Sequence, residues 1–393
     1  MRKLLAAILA AVLLTTSPGC GTPAETPQAP TVEKESATTE QTNVPEQPEV
    51  EILPEPEDPV DTLLKSMALE EKVGQLFFVR CPAESAVEDV SSYHLGGYIL
   101  FGRDTKDKSA NQLIQTIQSY QDAAQIPLLI GVDEEGGSVV RVSSNPHLRE
   151  KKFPSPQTLW KNQHDHGNVF SEDAWEKSNL LQALGFNVNL APVADVSTDP
   201  SDFIYDRALG QDAPITAEYV KSVVTAMSDA GMGSVLKHFP GYGNNVDTHT
   251  GIAVDERPME TFESSDFLPF ESGIAAGGNS TAVLMSHNII TCMDAELPAS
   301  LSLAVHQILR EKLNFNGVVM TDDLAMDAVA AYAEDGAVAV MAIEAGNDIV
   351  LTTDYRTQIP KVLDAVKTGV LSEEMIDTAC RRVLQWKSAL KLL

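Results

Sequence analysis

The chain contains 393 residues and has a formal net charge of −28 at pH 7, because 56 aspartates and glutamates outnumber 28 lysines and arginines. An acidic chain repels phosphate groups, so we expect neither nucleic acid nor anionic lipid headgroups as partners. The same charge keeps a protein soluble, which is the simplest interpretation of this composition.

Residues 1–20 have the pattern of a bacterial secretory signal. Arg2 and Lys3 precede an apolar run over residues 4–14, and Cys20 follows a short segment of small residues. This arrangement predicts a lipoprotein signal peptide in which Cys20 is the lipid acceptor. The run is too short to span a bilayer as a mature helix. We therefore expect a protein anchored by lipid to the extracellular face of a bacterial cell membrane, or a secreted one if Cys20 only forms a disulfide.

Residues 21–60 are rich in Pro, Glu, Thr and Gln and show no apolar periodicity. Such a segment cannot bury enough apolar surface to offset the entropy of ordering, so we predict a disordered, extended tether. Residues 61–393 contain no second low-complexity linker. Their length suits one large domain, as α/β barrels commonly are.

Short apolar runs rich in β-forming residues recur along this domain. They are separated mostly by segments long enough for helices, such as residues 110–124 and 213–230. Strands that alternate with helices predict a parallel sheet covered on both faces, and eight such repeats predict a closed (β/α)8 barrel of the TIM type. The runs cover residues 73–79, 97–101, 127–132, 186–193, 234–236, 282–285, 317–320 and 348–351.

A doubly wound open sheet is the alternative fold, since it also alternates strands and helices. No Gly-x-Gly-x-x-Gly turn and no P-loop supports it. The last segment, residues 371–393, is predicted to be an amphipathic helix capped by Ser372, with acidic residues in its first turn and basic residues nearer its end.

Polar residues occur where the apolar runs end. In a (β/α)8 barrel the carboxyl ends of the strands meet at one mouth, where catalytic residues gather. We therefore expect these residues to form one pocket. They are Arg103, Asp133, Asp195, Lys237, His238, His287 and Asp322.

Several of these residues belong to motifs that resemble the β-N-acetylglucosaminidases of glycoside hydrolase family 3, in their single-barrel form. The resemblance extends from about residue 63 to residue 393. Its most distinctive parts are Asp-Glu-Glu-Gly-Gly at 133–137 and Thr-Asp-Asp at 321–323. The other matching segments are Arg141, 189–195, 206–210, 237–243, 247–249, His287, 297–302 and 345–348.

The resemblance implies a retaining exo-glycosidase that removes terminal β-linked N-acetylglucosamine through a covalent intermediate on Asp322. It also implies that His249 is the acid and base, and that Asp247 orients its ring. Without the resemblance, Asp322 could simply cap the following helix, but Asp323 is the better candidate for that role. Asp247 and His249 could likewise lie on a solvated loop and have no catalytic function.

By the same resemblance, five residues bind the substrate: Asp133, Arg141, Arg207, Lys237 and His238. Asp195 and His287 are expected to hold these substrate-binding side chains in position. Each of the five could instead belong to an ion pair at the barrel mouth. We expect no cofactor and no metal, because the histidines 238, 249 and 287 lack the close spacing of a zinc ligand set.

The chain departs from the family pattern near the loop that carries His249. Tyr242 stands where the family commonly has His, Asn244 and Asn245 where it has Asp and Thr, and Ser138 where it often has Arg. We expect a monomeric hydrolase of N-acetylglucosamine-containing glycans such as muropeptides, with chitin fragments as another possible substrate. A phosphorylase that uses phosphate as acceptor and a non-catalytic sugar-binding lipoprotein remain alternatives.

Overall fold

The computed structural model describes residues 58–162, 166–245, 251–330, 332 and 337–393. The predicted signal peptide, Cys20 and all but the last three residues of the predicted tether lie outside these ranges. Helix α1 begins at Pro59, where Asp58 caps it by accepting a hydrogen bond from the Val60 amide.

The described residues form an eight-stranded parallel sheet and a separate two-stranded pair. The eight strands follow chain order around the sheet, and the pair consists of β6 and β8. The ten strands are β1 (Phe77–Arg80), β2 (Gly97–Leu100), β3 (Leu129–Val132), β4 (Val188–Asn189), β5 (Gly233–Phe239), β6 (Val254–Asp255), β7 (Thr281–Met285), β8 (Ile289–Ile290), β9 (Val319–Thr321) and β10 (Val350–Thr352).

The sheet closes into a barrel. Strand β10 pairs with β1 in parallel, with Phe77 opposite Val350, while β7 pairs with β9. The remaining gap is closed by a parallel bridge between Met320 and Ile349. The predicted (β/α)8 fold is therefore confirmed.

Helices surround the sheet. The two predicted helices are present: residues 213–230 form a helix with those bounds, and residues 110–124 form one that ends at residue 123. The described helices are α1 (Pro59–Ser66), α2 (Leu69–Gln75), α3 (Ala86–Ser92), α4 (Gly102–Thr105), α5 (Ala110–Ala123), α6 (Pro156–Asn162), α7 (His166–Ala183), α8 (Ala213–Ala230), α9 (Met259–Thr261), α10 (Phe267–Gly277), α11 (Leu303–Gln307), α12 (Asp327–Ala330), α13 (Val338–Glu344), α14 (Tyr355–Thr368) and α15 (Glu373–Ala389).

Helix α15 plugs the amino-terminal end of the barrel. Ser372 caps it as predicted, since its hydroxyl accepts a hydrogen bond from the Met375 amide at 3.1 Å. Val383, Trp386 and Leu390 pack with the side chains that point into the barrel. The Trp386 indole also donates to the carbonyl of residue 280, just before β7. The barrel interior is thus filled at its amino-terminal end, and the pocket opens at its carboxyl end.

Five predicted strands differ from the observed ones by one or two residues at an end, and the other three differ in their extent or position in ways that the structure explains. Residues 73–75 end helix α2, because Glu70, Glu71 and Lys72 favour a helix and only the apolar residues after them continue into β1. Strand β4 contains two residues rather than eight, since Pro192 cannot donate to a sheet ladder. Strand β5 continues to Phe239, so that Lys237 and His238 lie on the strand itself.

Candidate active site

A cavity of about 450 Å³ opens at the carboxyl ends of the barrel strands. It is lined both by charged side chains and by apolar ones, a combination typical of a site for a small polar ligand. The lining residues are Arg80, Ile99, Phe101, Asp133, Val139, Arg141, Leu190, Phe203, Arg207, Lys237, His238, Leu284, Asp322, Asp323, Met326 and Leu351. All five predicted substrate-binding residues and Asp322 are among them.

The loop after β3 brings Asp133 and Arg141 to this cavity. Buried Glu134 folds the loop, because its carboxylate accepts hydrogen bonds from the amides of Arg141 at 2.8 Å and Val142 at 2.7 Å. Gly136 makes the return possible, since its φ is +110° and a Cβ there would lie 2.2 Å from a backbone carbonyl oxygen. Neighbouring acids therefore have different roles: Asp133 faces the cavity, whereas Glu134 holds the backbone.

A buried network of ion pairs forms the floor of the site. The Lys237 ammonium lies 2.7 Å from both Asp133 and Glu135. Glu135 also accepts two hydrogen bonds from Arg207, at 3.0 and 2.7 Å. Burial alone would raise the pKa of Glu135, but the charges of Lys237 and Arg207 hold it far below its usual range. Glu135 belongs to the motif at 133–137, but nothing in that motif predicts its position between two cations.

Asp195 lies behind His238 and fixes its ring. The distance from His238 Nδ1 to Asp195 Oδ2 is 2.7 Å, and His238 Nε2 lies 3.3 Å from an Arg207 nitrogen. Because Arg207 can only donate, these partners favour the tautomer with the proton on Nδ1. Asp195 also accepts the Tyr242 amide at 2.8 Å, so it joins β5 to the loop that follows.

Asp322 follows β9 and reaches the cavity wall. Burial would raise the pKa of Asp322, but His287, His238, the Asp323 amide and Lys237 together hold it below its usual value. The amide of Asp323 donates to Asp322 Oδ1 at 2.8 Å. Within the described part of the chain, Oδ2 of Asp322 accepts no hydrogen bond. The carboxylate therefore stays ionised and keeps one oxygen available.

Asp323 turns the chain after the strand, but it does not cap a helix as expected, because α12 begins only at Asp327. Its carboxylate accepts the Ala325 amide at 3.0 Å. Burial raises the pKa of Asp323, and the adjacent charge of Asp322 raises it further. His287 lies behind both acids, with Nε2 at 3.1 Å from the Asp323 carbonyl and Nδ1 at 2.7 Å from the Ser300 hydroxyl.

Arg80 and Phe101 line the cavity although sequence reasoning did not select them. The guanidinium carbons of Arg80 and Arg141 lie 4.3 and 5.8 Å from the centre of the Phe101 ring. Both Nε atoms are buried and lack a hydrogen-bond partner among the described residues. Arg103, which we expected at the mouth, instead donates to the Cys81 carbonyl. Arg80 directly follows the predicted run 73–79, so its position at a strand end is the signal that could have identified it.

The predicted acid and base, His249, and its partner Asp247 lie outside the described residues. The structure does show the residues on either side of them. Asn245 donates to Asp255 at 2.7 Å and to the Tyr242 carbonyl at 2.8 Å. Arg257 contacts Asp255 and also donates to the carbonyl of residue 241 at 3.2 Å. The two ends of the segment 246–250 are therefore joined by one buried polar cluster.

Within the described ranges, no group of three His, Cys, Asp or Glu side chains is arranged to hold a metal ion. The ring nitrogens of His238 and His287 are occupied by the contacts given above. The site can offer an ionised carboxylate beside a set of hydrogen-bond donors and acceptors for hydroxyl groups. A closed barrel with such a site at its carboxyl end occurs in many enzyme classes, and enzymes that act on glycosidic bonds are one of them.

Comparison with known proteins identifies the chain as one that acts on glycosidic bonds. Residues 68–386 match the model of the glycosyl hydrolase family 3 N-terminal domain. The chain therefore belongs to glycoside hydrolase family 3 and is a glycoside hydrolase.

Three similar proteins illustrate the relationship. The β-hexosaminidase of Xylella fastidiosa strain M12 is 34% identical over 265 residues, which cover 65% of this chain and 76% of that protein. The β-hexosaminidase of Glaesserella parasuis is 33% identical over 298 residues, covering 74% and 84%. The structure of a β-N-acetylglucosaminidase from Paenibacillus sp. FPU-7 superposes with a TM-score of 0.77 at 31% identity, covering 83% of this chain and 63% of that one.

Proposed function

We propose that this protein is a retaining β-N-acetylhexosaminidase that removes terminal, non-reducing β-linked N-acetylglucosamine. The bacterial relatives named above are β-hexosaminidases, and the Paenibacillus structure is a β-N-acetylglucosaminidase. The observation that carries the proposal is Asp322, a carboxylate with a lowered pKa and one available oxygen at the wall of the cavity.

Asp322 is the proposed nucleophile. Its available oxygen attacks the anomeric carbon, the glycosidic C–O bond breaks, and a glycosyl ester forms while the departing oxygen takes a proton. Water then attacks the same carbon, the ester bond breaks, and the acid group recovers its proton from that water. Two displacements at one carbon give overall retention of configuration.

His249, oriented by Asp247, is the proposed acid and base. Imidazole titrates near neutral pH, so it can donate a proton in the first step and accept one in the second. The proposal rests on the sequence, since both residues lie outside the described ranges. Asn245 donates a hydrogen bond to Asp255, and this contact supports the proposal by joining the chain before segment 246–250 to the chain after it.

The size of the cavity supports action at a chain end. The cavity volume of about 450 Å³ lies toward the small end of the usual range for ligand pockets. Asp133 can accept hydrogen bonds from sugar hydroxyls, whereas Arg141 and Lys237 donate to them.

We further propose that the natural substrates are peptidoglycan fragments. A lipid on Cys20 and a tether over residues 21–60 would hold the enzyme at the extracellular face of the membrane, beside the wall. No helix in the described residues is long and apolar enough to cross a membrane. Globomycin-sensitive processing and labelling by a fatty-acid analogue would test the anchor, and sedimentation of the soluble domain would test the expected monomer.

The activity is tested with the soluble protein from residue 58 onward and 4-nitrophenyl N-acetyl-β-glucosaminide, with the plain β-glucoside as comparison. We expect nitrophenol release only from the N-acetyl substrate, with Asp322→Asn as the inactive control. NMR of the first-formed sugar should show the β-anomer, as retention requires. Release that depends on phosphate and yields a sugar phosphate would make the enzyme a phosphorylase. Binding of N-acetylglucosamine without any turnover would make it a sugar-binding lipoprotein.

A further inference from the structure

Phe203 presents an exposed aromatic ring at the rim of the catalytic cavity. It lies in the turn between β4 and α8, lines the cavity, and is 39% exposed. Its surroundings differ from those of Trp175, which is 40% exposed on the outer helix α7, away from the cavity. Single exposed apolar residues are common on protein surfaces and need no function. The position of Phe203, rather than its exposure, is therefore what needs an explanation.

The Phe203 ring rests on a rigid support. Its centre lies 5.6 Å from that of Tyr242, which is only 3% exposed. Tyr242 packs with Val193 and Ile204, and its amide is held by Asp195. An aromatic ring on such a base loses little conformational entropy when a ligand covers it.

Further hydrogen bonds close the turn that carries Phe203. The Tyr205 amide donates to the Asp202 carbonyl at 3.2 Å, and the Ser197 hydroxyl donates to the Asp202 carboxylate at 2.8 Å. These two hydrogen bonds therefore hold the turn, and with it the Phe203 ring, at the rim of the cavity.

Phe203 lies on the side of the cavity where the leaving group is expected. The segment with His249 leaves the barrel just after Tyr242, the residue on which Phe203 rests. A group that protonates the glycosidic oxygen must lie beside the leaving group. Asp133 and Lys237 provide the polar contacts for the terminal sugar, and Phe203 offers an apolar surface next to them.

We propose that Phe203 is a specificity-determining residue whose ring packs against the aglycone, a second pyranose in β-linkage to the terminal N-acetylhexosamine. This inference rests on the proposed function. The C–H face of a pyranose is apolar, and an aromatic ring is its natural complement. Tyr242, which replaces the common His of the family, supports this surface.

The test compares two substrates that need the same chemistry but differ in aglycone size: methyl N-acetyl-β-glucosaminide and N,N′-diacetylchitobiose. Both have alkyl alcohols as leaving groups, so protonation is required equally. We expect Phe203→Ala to lower kcat/KM for the disaccharide by about 3- to 10-fold, mainly through KM, and to leave the methyl glycoside almost unchanged. Phe203→Tyr should keep the wild-type ratio, because it keeps the ring.

Two further variants serve as controls. Trp175→Ala removes an exposed ring of similar exposure on α7 and should change neither substrate. Phe203→Leu keeps apolar bulk without a ring, so it separates loss of stacking from collapse of the turn. Equal losses on both substrates, or no change on either, would overturn the role of Phe203 while the hydrolase proposal stands. A wild-type protein that cleaves no N-acetyl-β-glucosaminide would overturn both.

Discussion

Replacing Glu135 by Gln should destabilise the protein strongly, because it removes one carboxylate from between two buried cations. Glu135 is 2.7 Å from the Lys237 ammonium and is bound twice by Arg207. Gln has the same shape but no charge. Arg207 would keep no carboxylate within ion-pair distance among the described residues, and Lys237 would keep only Asp133.

The expected loss is about 3–5 kcal/mol in the free energy of unfolding at pH 7, the usual cost of breaking a buried ion pair. That is a large part of the roughly 5–15 kcal/mol by which proteins are stable. Urea unfolding followed by tryptophan fluorescence measures it. Glu176→Gln is the matched control. Arg149 also binds Glu176 closely, but the Glu176 side chain is 59% exposed. There we expect at most about 0.5 kcal/mol.

The pH dependence provides a second check. The pKa of Glu135 is lowered on folding, so its contribution is complete above the unfolded pKa of about 4.3 and is lost as the pH falls below it. The difference between wild type and Glu135→Gln should therefore be constant near neutrality and shrink below about pH 4. A difference under about 1 kcal/mol at pH 7, or one that does not change with pH, would refute the argument that this pair is buried and fully charged.

Three other predictions concern single residues. Asp322→Asn should lower kcat for 4-nitrophenyl N-acetyl-β-glucosaminide by at least about 10⁴-fold, since an amide cannot form the ester; near-normal turnover would exclude it as nucleophile. His249→Ala should impair alkyl glycosides far more than nitrophenyl ones, whereas Asp323→Asn should not; the reverse pattern would make Asp323, whose pKa is raised, the acid. Lys387→Met removes a buried amine whose pKa burial lowers to about 7, but it also leaves Gln75 Oε1 without the donor that lies 2.6 Å away. We expect a net gain of about 1–3 kcal/mol at pH 7 that shrinks as the pH rises toward the unfolded pKa and becomes a loss above about pH 10.5 in pH-dependent urea unfolding.

The barrel could be predicted from the sequence because its signals are local. The helices at 110–124 and 213–230 have polar caps at their starts, and α8 ends at Gly231 with a φ of +76°. The strand ends could be read to within one residue for the same reason, except at β4 and β5. The start of β1 could not, because the apolar residues of α2 and of the strand are contiguous, and periodicity cannot separate a short helix from a buried strand.

The ion pairs of the site could not be predicted, because their partners are far apart in the sequence. Glu135 and Arg207 are separated by 72 positions. Three acids in a row at 133–135 look alike as a sequence, but the turn at Gly136 gives each a different environment. Only the fold shows that one faces the cavity, one holds the loop and one lies between two cations.

The distribution of these ion pairs bears on the proposed role of Asp322 as a nucleophile. A carboxylate bound directly by a lysine or arginine would stay ionised, but its oxygens would be occupied. Here Lys237 is bound by Asp133 and Glu135, so it adds to the effect of His287 and His238 on the pKa of Asp322 through its field rather than by contact. Asp322 thus gains the lowered pKa without losing its second oxygen. In the proposed mechanism that oxygen would bond to the sugar and its negative charge would disappear, while Asp133 and Glu135 would still balance Lys237 and Arg207. The proposed intermediate would therefore form in a site whose other charges are already paired.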